Sequence, residues 1–389
     1  MSDPLDLIRG ERVVELAKKL ISIPSTTNHE HILSDWYSEF FKELGLETRR
    51  LHVAESGDTI VSILEGPRDK PAMMLNFHID TFDVFNDWET DPFTPTVKGD
   101  RLYGLGSHDM KGGAACVLAA VEAIVKSDIK LEGRLIISGT TDEENWSRGA
   151  HELINSGVLR GCEYCLVPEP NAAGTLTIGE RGRHVFHLKF HGHSVSAAYS
   201  GGINAVVEAA KAVKAISDIL PVELGWSDEF EMGGSLCVTG IQGGGTMIYV
   251  PELADVWVDR HILPGQTRDW AADQLRRVLA STGMKGQYEL TWDERPTPAP
   301  TSFLVPKESR LVQTVKAHME GEHGGPVKLV IARSVADTNH IAVHGGVPTL
   351  ICGPSGGNTC EANEWVNIKS LTPTARVLCK STLDLLGPG

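Results

Sequence analysis

The chain has no uninterrupted apolar stretch of membrane-spanning length, and its opening Met-Ser-Asp-Pro-Leu-Asp has neither a basic n-region nor an apolar h-region. A cytoplasmic protein is expected. Basic residues are in deficit: 36 Lys and Arg against 51 Asp and Glu give a formal charge of −15. Nucleic acid and anionic membrane are therefore not expected as partners, since both are gripped by clustered Lys and Arg. The same acidic excess suits a site for cations. A disulfide framework is missing too. The seven cysteines (Cys116, Cys162, Cys165, Cys237, Cys352, Cys360, Cys379) are odd in number, scattered and mostly in apolar runs, as buried free thiols are in a reducing compartment. Cys162-Glu-Tyr-Cys165 has redox or zinc spacing, but no second pair supports it. Cys360 differs, because it sits in the polar, glycine-rich turn Gly-Gly-Asn-Thr-Cys-Glu. No internal repeat or low-complexity segment is present.

With 389 residues, 41% of them hydrophobic, the chain is long enough for two packed domains. The segment 137–149 organises it: an apolar run, then Asp142, Glu143 and Glu144 in succession, then Ser147 and Gly149. Three adjacent acids read blandly as a solvated loop or as a first helical turn, where acids suit the macrodipole. The run before them, 134–140, has the composition of a buried parallel strand, and the carboxyl ends of such strands are where open α/β sheets place their sites. Acids crowded there call for a counter-charge, and a divalent metal supplies it.

Helical spacing predicts helices over 11–20 and 30–44, the latter stopped by Gly45. Strands follow over 59–64 and 72–77. A long Pro- and Asp-rich connection then leads to Asp109, flanked by glycines, and to a helix over 114–125. A strand at 134–138, a helix at 148–155 and a strand at 164–167 complete this part. From about residue 183 the predicted order becomes β-α-β-β-α-β, the split βαβ unit of a separately folded domain. The Pro-rich 295–300 reads as a stiff linker back to the first pattern, which resumes with a helix at 309–319, a strand at 327–331, a segment at 340–343, a strand at 349–352 and a helix at 371–386. The expected fold is α/β: a large α/β metal-binding domain with a mixed sheet (1–181 and 298–389), interrupted by a smaller α+β domain (182–297).

His78, Asp80, Asp109, Glu143, Glu144 and Glu169 all fall at or just past predicted strand ends, so a common sheet would gather them at one edge. Each has a bland alternative: His78 as a core histidine, Asp109 as a turn or capping acid, Glu169 as an extended residue before Pro170. Taken together they form a His-and-carboxylate ligand set suited to Zn²⁺, Co²⁺ or Mn²⁺, one or two ions per subunit.

In order along the chain, Phe77-His-Ile-Asp80, Gly104-Leu-Gly-Ser-His-Asp-Met-Lys-Gly-Gly113, Thr141-Asp-Glu-Glu144 with Gly149, and Pro168-Glu-Pro170 resemble the metallopeptidase and deacylase family of glutamate carboxypeptidase, acetylornithine deacetylase, succinyl-diaminopimelate desuccinylase and aminoacylase. Gly179-Glu-Arg-Gly182, Gly202-Ile-Asn-Ala205, Leu263-Pro-Gly265, Asp337-Thr-Asn339 and Gly353-Pro-Ser-Gly-Gly357 with Asn363-Glu-Trp365 extend the resemblance over the whole chain, in the glutamate carboxypeptidase branch. It implies that His78 and Glu169 hold one metal, that Glu144 and the residue at 360 hold the other, and that Asp109 bridges both. It further implies that Asp80 orients His78 through its carboxylate, that Glu143 is the general base and then the proton donor to the leaving nitrogen, and that the inserted domain closes over the site and forms a homodimer or larger homo-oligomer. Asn339 would belong to the substrate-binding set.

The departures fall mostly on the substrate side. Cys360 stands where the family has a metal-binding histidine. Ser196 stands where the inserted domain offers a histidine to the substrate carbonyl, with His193 and His191 near in sequence but on a different backbone path. Ile248 replaces an asparagine, and His261 replaces an arginine to which Arg260 is adjacent. On a strand, however, successive side chains face opposite ways. A metal-dependent hydrolase of a C–N bond in a small molecule is expected. The alternatives are a hydrolytic deaminase of an aromatic amine such as nitroanthranilate, and a catalytically silent binding or assembly protein.

Overall fold

The computed structural model describes residues 2–68, 71–127, 129–199, 201–219, 221–245 and 247–387. They fall into two compact units: Met1–Gly179 with Leu304–Ala332 and Ala336–Gly389, and Glu180–Phe303 with Arg333–Val335. The inserted unit thus ends about half a dozen residues later than the Pro-rich run predicts, and it takes a short return from 333 to 335.

The first unit is a mixed α/β fold built on one large sheet. Its strands run in the order Glu47–Leu51, Thr59–Leu64, Arg134–Thr140, Ala72–His78, Cys162–Val167, Thr349–Ile351 and Thr175–Glu180. Ala72–His78 lies parallel to both of its neighbours and is buried at every position. Its near-continuous apolar sequence, Ala-Met-Met-Leu-Asn-Phe-His, is what a central parallel strand covered on both faces requires. The helices Gly10–Ile21, Gly112–Lys126 and Ile368–Leu386 pack on one another. Gly112–Lys126 is buried along most of its length, as its Ala-rich sequence demands of a helix pressed against strands.

Sequence periodicity missed a small four-stranded sheet of Gly356–Gly357, Trp365–Asn367, Arg101–Tyr103 and Thr96–Lys98. These strands are two or three residues long, too short to show a period. The segment at 340–343 belongs to a helix, Asp337–Val343.

The second unit folds around an antiparallel sheet ordered Ser235–Gly243, Leu253–Ile262, Gly182–His191, Gln287–Trp292. The helices Ala205–Ser217 and Arg268–Ala280 cover it with Ala209, Ala212, Ala271 and Leu275, against Phe186, Leu188, Val256 and Val258 from the strands. Asn204 and Thr267 open those helices, each side chain accepting from backbone amides of the first turn. The chain order within this unit is β-α-β-β-α-β, with two-residue strands and a 3₁₀ turn added before Ser235.

Candidate metal centre

The parallel register sets His78 opposite Thr140, so the strand Ala72–His78 and its neighbour end side by side. The loops that leave these ends carry Asp80, Glu143 and Glu144, and the strand Cys162–Val167 leads directly to Glu169. Asp109 comes from the irregular turn Ser107–Lys111 ahead of the helix Gly112–Lys126. Two glycines allow the packing around Glu169. A Cβ at Gly113 would collide with the Pro168 carbonyl, and one at Gly353 with the carbonyls of Pro168 and Glu169.

His78 lies at the middle of the group and is buried. Its Nδ1 is 2.9 Å from the Asp80 carbonyl oxygen, and its Nε2 is 3.1 Å from Asp109 Oδ1 and 3.5 Å from Glu169 Oε1. A carbonyl only accepts, so Nδ1 carries the proton and Nε2 is the nitrogen available to a cation. The Asp80 carboxylate sits farther off, with Oδ1 3.7 Å from Nδ1. The backbone carbonyl of Asp80 is thus the nearer partner of the imidazole, with the carboxylate facing the same nitrogen at longer range. The carboxylate instead accepts the amides of Glu143 and Glu144, each at 3.1 Å, and the Thr27 hydroxyl at 3.1 Å.

Anchored in this way, the three adjacent acids part. Asp142, with a left-handed φ of 63°, turns to Arg148, which donates from Nε at 2.6 Å and from Nη2 at 2.9 Å. Glu144 joins His78 and Asp109 in a group whose ligand atoms all lie within 4.8 Å of one another. Glu143 is outside that group, as are Glu169, which contacts His78 Nε2, and Cys360, which contacts Asp109. On the far side of Asp109, Cys360 Sγ donates to Oδ2 at 3.2 Å. The two oxygens of Asp109 therefore face different partners, Oδ1 toward His78 and Oδ2 toward Cys360.

The electrostatics are those of a pocket short of positive charge. Burial pushes the Glu169 carboxyl up to about 7, and lifts Glu143 and Glu144 well above the usual carboxylate range. Burial opposes the His78 imidazolium, yet Glu169 and Asp109 together carry its pKa well above the ordinary value. Burial also pushes Asp109 upward, but the bond and charge of His78 outweigh it and hold that carboxyl low. Burial, then Asp109 and Glu144, raise the Cys360 thiol far above the common range. Glu144 Oε1 is buried with no hydrogen-bond partner. An orphaned carboxylate oxygen beside an imidazole nitrogen and a shared aspartate fits a divalent cation, which would satisfy the one and neutralise the rest.

Residues that the sequence did not single out hold this arrangement together. Glu364 is buried, and its carboxylate accepts three amides of the Asp109 turn: Gly106 at 2.8 Å, His108 at 2.7 Å and Asp109 at 2.7 Å. Burial pushes this carboxyl up to about 8. His108 ties the same turn to the Cys360 loop through the Thr359 hydroxyl, 2.7 Å from Nδ1. Glu30, buried at the start of the helix His31–Glu43, accepts the amides of Gly57 and Asp142. The signal for Glu364 was its place in Asn363-Glu-Trp365, which resembles the family without naming a role.

The substrate-side expectations fare unevenly. Arg260 is fully buried, and its guanidinium donates to the carbonyls of Ser235, His261 and Leu224 and to Gln274 Oε1, so it supports the fold of the second unit. His261 pairs with Asp259 at 3.0 Å. Ser196 bridges to Tyr249 through the backbone, His193 bridges to Ile203, and Ile248 is 64% exposed. Asn339 is buried in the first unit, where its side-chain oxygen accepts the Ala336 amide at the start of a helix.

Comparison with known proteins places the chain in a family. The chain is 26% identical to N-formyl-4-amino-5-aminomethyl-2-methylpyrimidine deformylase of Bacillus subtilis, over 95% of this chain and 93% of that protein. It is 25% identical to the succinyl-diaminopimelate desuccinylase of Halorhodospira halophila, over 96% and 98%. Its fold matches the YXEP protein of Bacillus subtilis, described as a dinuclear metal binding peptidase from the M20 family, with a TM-score of 0.74 at 15% identity over 97% and 98% of the two chains. The family match itself runs from residue 74 to residue 384, enclosing His78, Asp109, Glu144, Glu169 and Cys360. The chain belongs to peptidase family M20/M25/M40, and is a hydrolase of carbon–nitrogen bonds.

Proposed function

We propose that this chain is a metal-dependent amidohydrolase that removes a small acyl group from a compact, flat nitrogen compound. The observation that carries the reading is the division between adjacent glutamates. Both amides are anchored on Asp80, yet Glu144 groups with His78 and Asp109 while Glu143 stays outside that group. One or two divalent transition cations (Zn²⁺, Co²⁺ or Mn²⁺) held by His78, Asp109, Glu144, Glu169 and Cys360 would supply Lewis acidity to an amide carbonyl and to a water molecule. His78 presents Nε2 because its Nδ1 proton is engaged by Asp80. Asp109 offers one oxygen on each side, as a bridge requires. Glu143 takes a proton from water and returns it to the leaving nitrogen, and burial makes its carboxyl a better base than an exposed one.

The substrate class follows from the inserted unit, whose substrate-facing positions are assigned by resemblance. Ser196 replaces an imidazole donor, Ile248 is apolar, and His261 is paired with Asp259. A substrate with several carboxylates, such as the one in the desuccinylase's name, finds no arginine there. A formylated or acetylated aromatic amine asks for none. With no arginine for their carboxylates, ordinary N-acetyl amino acids and glutamate-terminated peptides should be poor substrates. A panel of these compounds beside N-formyl aminomethylpyrimidines, N-formyl anilines and aminobenzoates tests the reading. Efficient turnover of an N-acetyl amino acid, with kcat/KM above roughly 10⁴ M⁻¹s⁻¹, would overturn it. Ammonia release from an aminobenzoate would move the assignment to a deaminase, and inertness toward the whole panel would favour a binding protein.

Cys360 is expected to make the second cation position labile. Its thiol must lose a proton that burial and two carboxylates hold firmly, and it is open to oxidation where imidazole is not. Metal stoichiometry of the wild type and of Cys360→His measures this. The variant should hold closer to two ions after dialysis in air, and equal, tight occupancy in both would show the thiol to be no handicap. We also propose that the chain acts as a homodimer through its inserted unit, where Ser235–Gly243 is an edge strand carrying the exposed Ile241.

A further inference from the structure

Three histidines meet in the first unit, apart from the residues of the proposed catalytic centre. His340 and His344 lie four residues apart on and just past the helix Asp337–Val343, so they share a face, and His151 reaches them from the helix Arg148–Asn155. The ring centroids of His151 and His340 are 4.7 Å apart, those of His151 and His344 5.5 Å, and those of His340 and His344 5.9 Å. His151 Nε2 and His340 Nδ1 stand 2.9 Å from each other.

We propose that His151, His340 and His344 form a second transition-metal site, which takes a borderline divalent cation such as Zn²⁺, Ni²⁺ or Cu²⁺ with water completing its shell. The chemistry of the donors sets the class. Three imidazoles with no carboxylate among them suit late first-row ions and not Mg²⁺ or Ca²⁺. The spacing agrees. Two imidazole nitrogens on one tetrahedral zinc, each at about 2.0–2.1 Å, stand about 3.3 Å apart. The pair here is within a few tenths of an ångström of that separation, so a cation can replace the proton they share with little movement. Access is provided by a gradient of exposure: His340 is fully buried, His151 is partly buried and His344 is exposed. As placed, the three rings do not bring one nitrogen each within 4.8 Å of one another, so the exposed His344 ring turns inward to become the third ligand, while the buried one fixes the site's position.

Such a cation would clamp together two helices that flank the centre. The helix Arg148–Asn155 begins at the arginine that holds Asp142, shortly after Glu143 and Glu144 in the chain. The helix Asp337–Val343 begins at Asp337, a buried carboxyl that contributes to raising Glu143. Occupancy would stiffen the loop that carries the proposed base.

The test is equilibrium dialysis of the metal-loaded enzyme against micromolar Zn²⁺ and, separately, Ni²⁺. Wild type should take up one equivalent beyond the complement it is purified with. His344→Ala, chosen because that ring is exposed and its removal leaves the core intact, should weaken that additional equivalent at least about tenfold. The metal it is purified with should be unchanged. His344→Cys, which restores a ligand, should recover the uptake. Identical uptake by wild type and His344→Ala, or no equivalent beyond the purified complement in wild type, would overturn the proposal.

Discussion

Glu143→Gln should lower turnover by roughly 10²–10⁴-fold while metal content stays at the wild-type level. The amide side chain has the shape of the carboxyl but cannot accept a proton from water. The backbone amide of Glu143, which Asp80 holds, is untouched by the change. Because Glu143 lies outside the group formed by His78, Asp109 and Glu144, its replacement leaves those ligand atoms in place. Elemental analysis beside steady-state rates separates the two effects. Turnover within about tenfold of wild type would remove Glu143 from the chemistry, and a matching loss of metal would make it a ligand.

Asp109→Asn should cost both metal and rate. Its two oxygens face His78 on one side and Cys360 on the other, and an amide offers a single good acceptor in place of two. It also removes a full negative charge from between the two proposed cation positions. Bound metal should fall to half of the wild-type content or less, and turnover by at least about 10²-fold, beyond what losing a supporting contact alone would do. A variant that retains the full complement after dialysis would show that Asp109 is not the bridge. Added Zn²⁺ should not restore the rate of this variant in full, whereas it leaves the Glu143→Gln variant as inactive as before.

Much of the centre was legible because strand periodicity and the carboxyl-end rule act on different parts of the sequence and converge. The uninterrupted apolar run 72–77 announces a central parallel strand, and His78 follows directly. Glu144 and Glu169 come from the same reasoning, whereas Asp109 sits in the turn Ser107–Lys111 ahead of a helix. What stayed hidden depends on backbone groups, which carry no residue-type signal. Nothing in Phe-His-Ile-Asp distinguishes the Asp80 carbonyl from its carboxylate as the partner of His78. Glu364, one acid among polar turn residues, looks like a solvated side chain until the three amides it accepts are seen. Arg260 was read by adjacency to His261, but strand alternation turned it into the core. The separation of Asp142 from its two neighbours was equally out of reach, since it follows from a positive φ and from Arg148 six residues on.

The carboxylate of Glu364 has a consequence for how the molecule comes into being. It closes on the Asp109 amide across 255 residues of chain, and Cys360 closes on the Asp109 carboxylate across 251. In between, the chain completes an entire separately cored unit. Synthesis runs from the amino end at about 5–20 residues per second. For tens of seconds, therefore, a nascent chain carries His78, Asp109, Glu144 and Glu169 without the segment that shapes the Asp109 turn. The turn is held by residues that leave the ribosome after the other four proposed ligands have done so. A shortened chain ending before residue 360 would present four of the five proposed ligands without the contacts of Glu364 and Cys360 on the Asp109 turn.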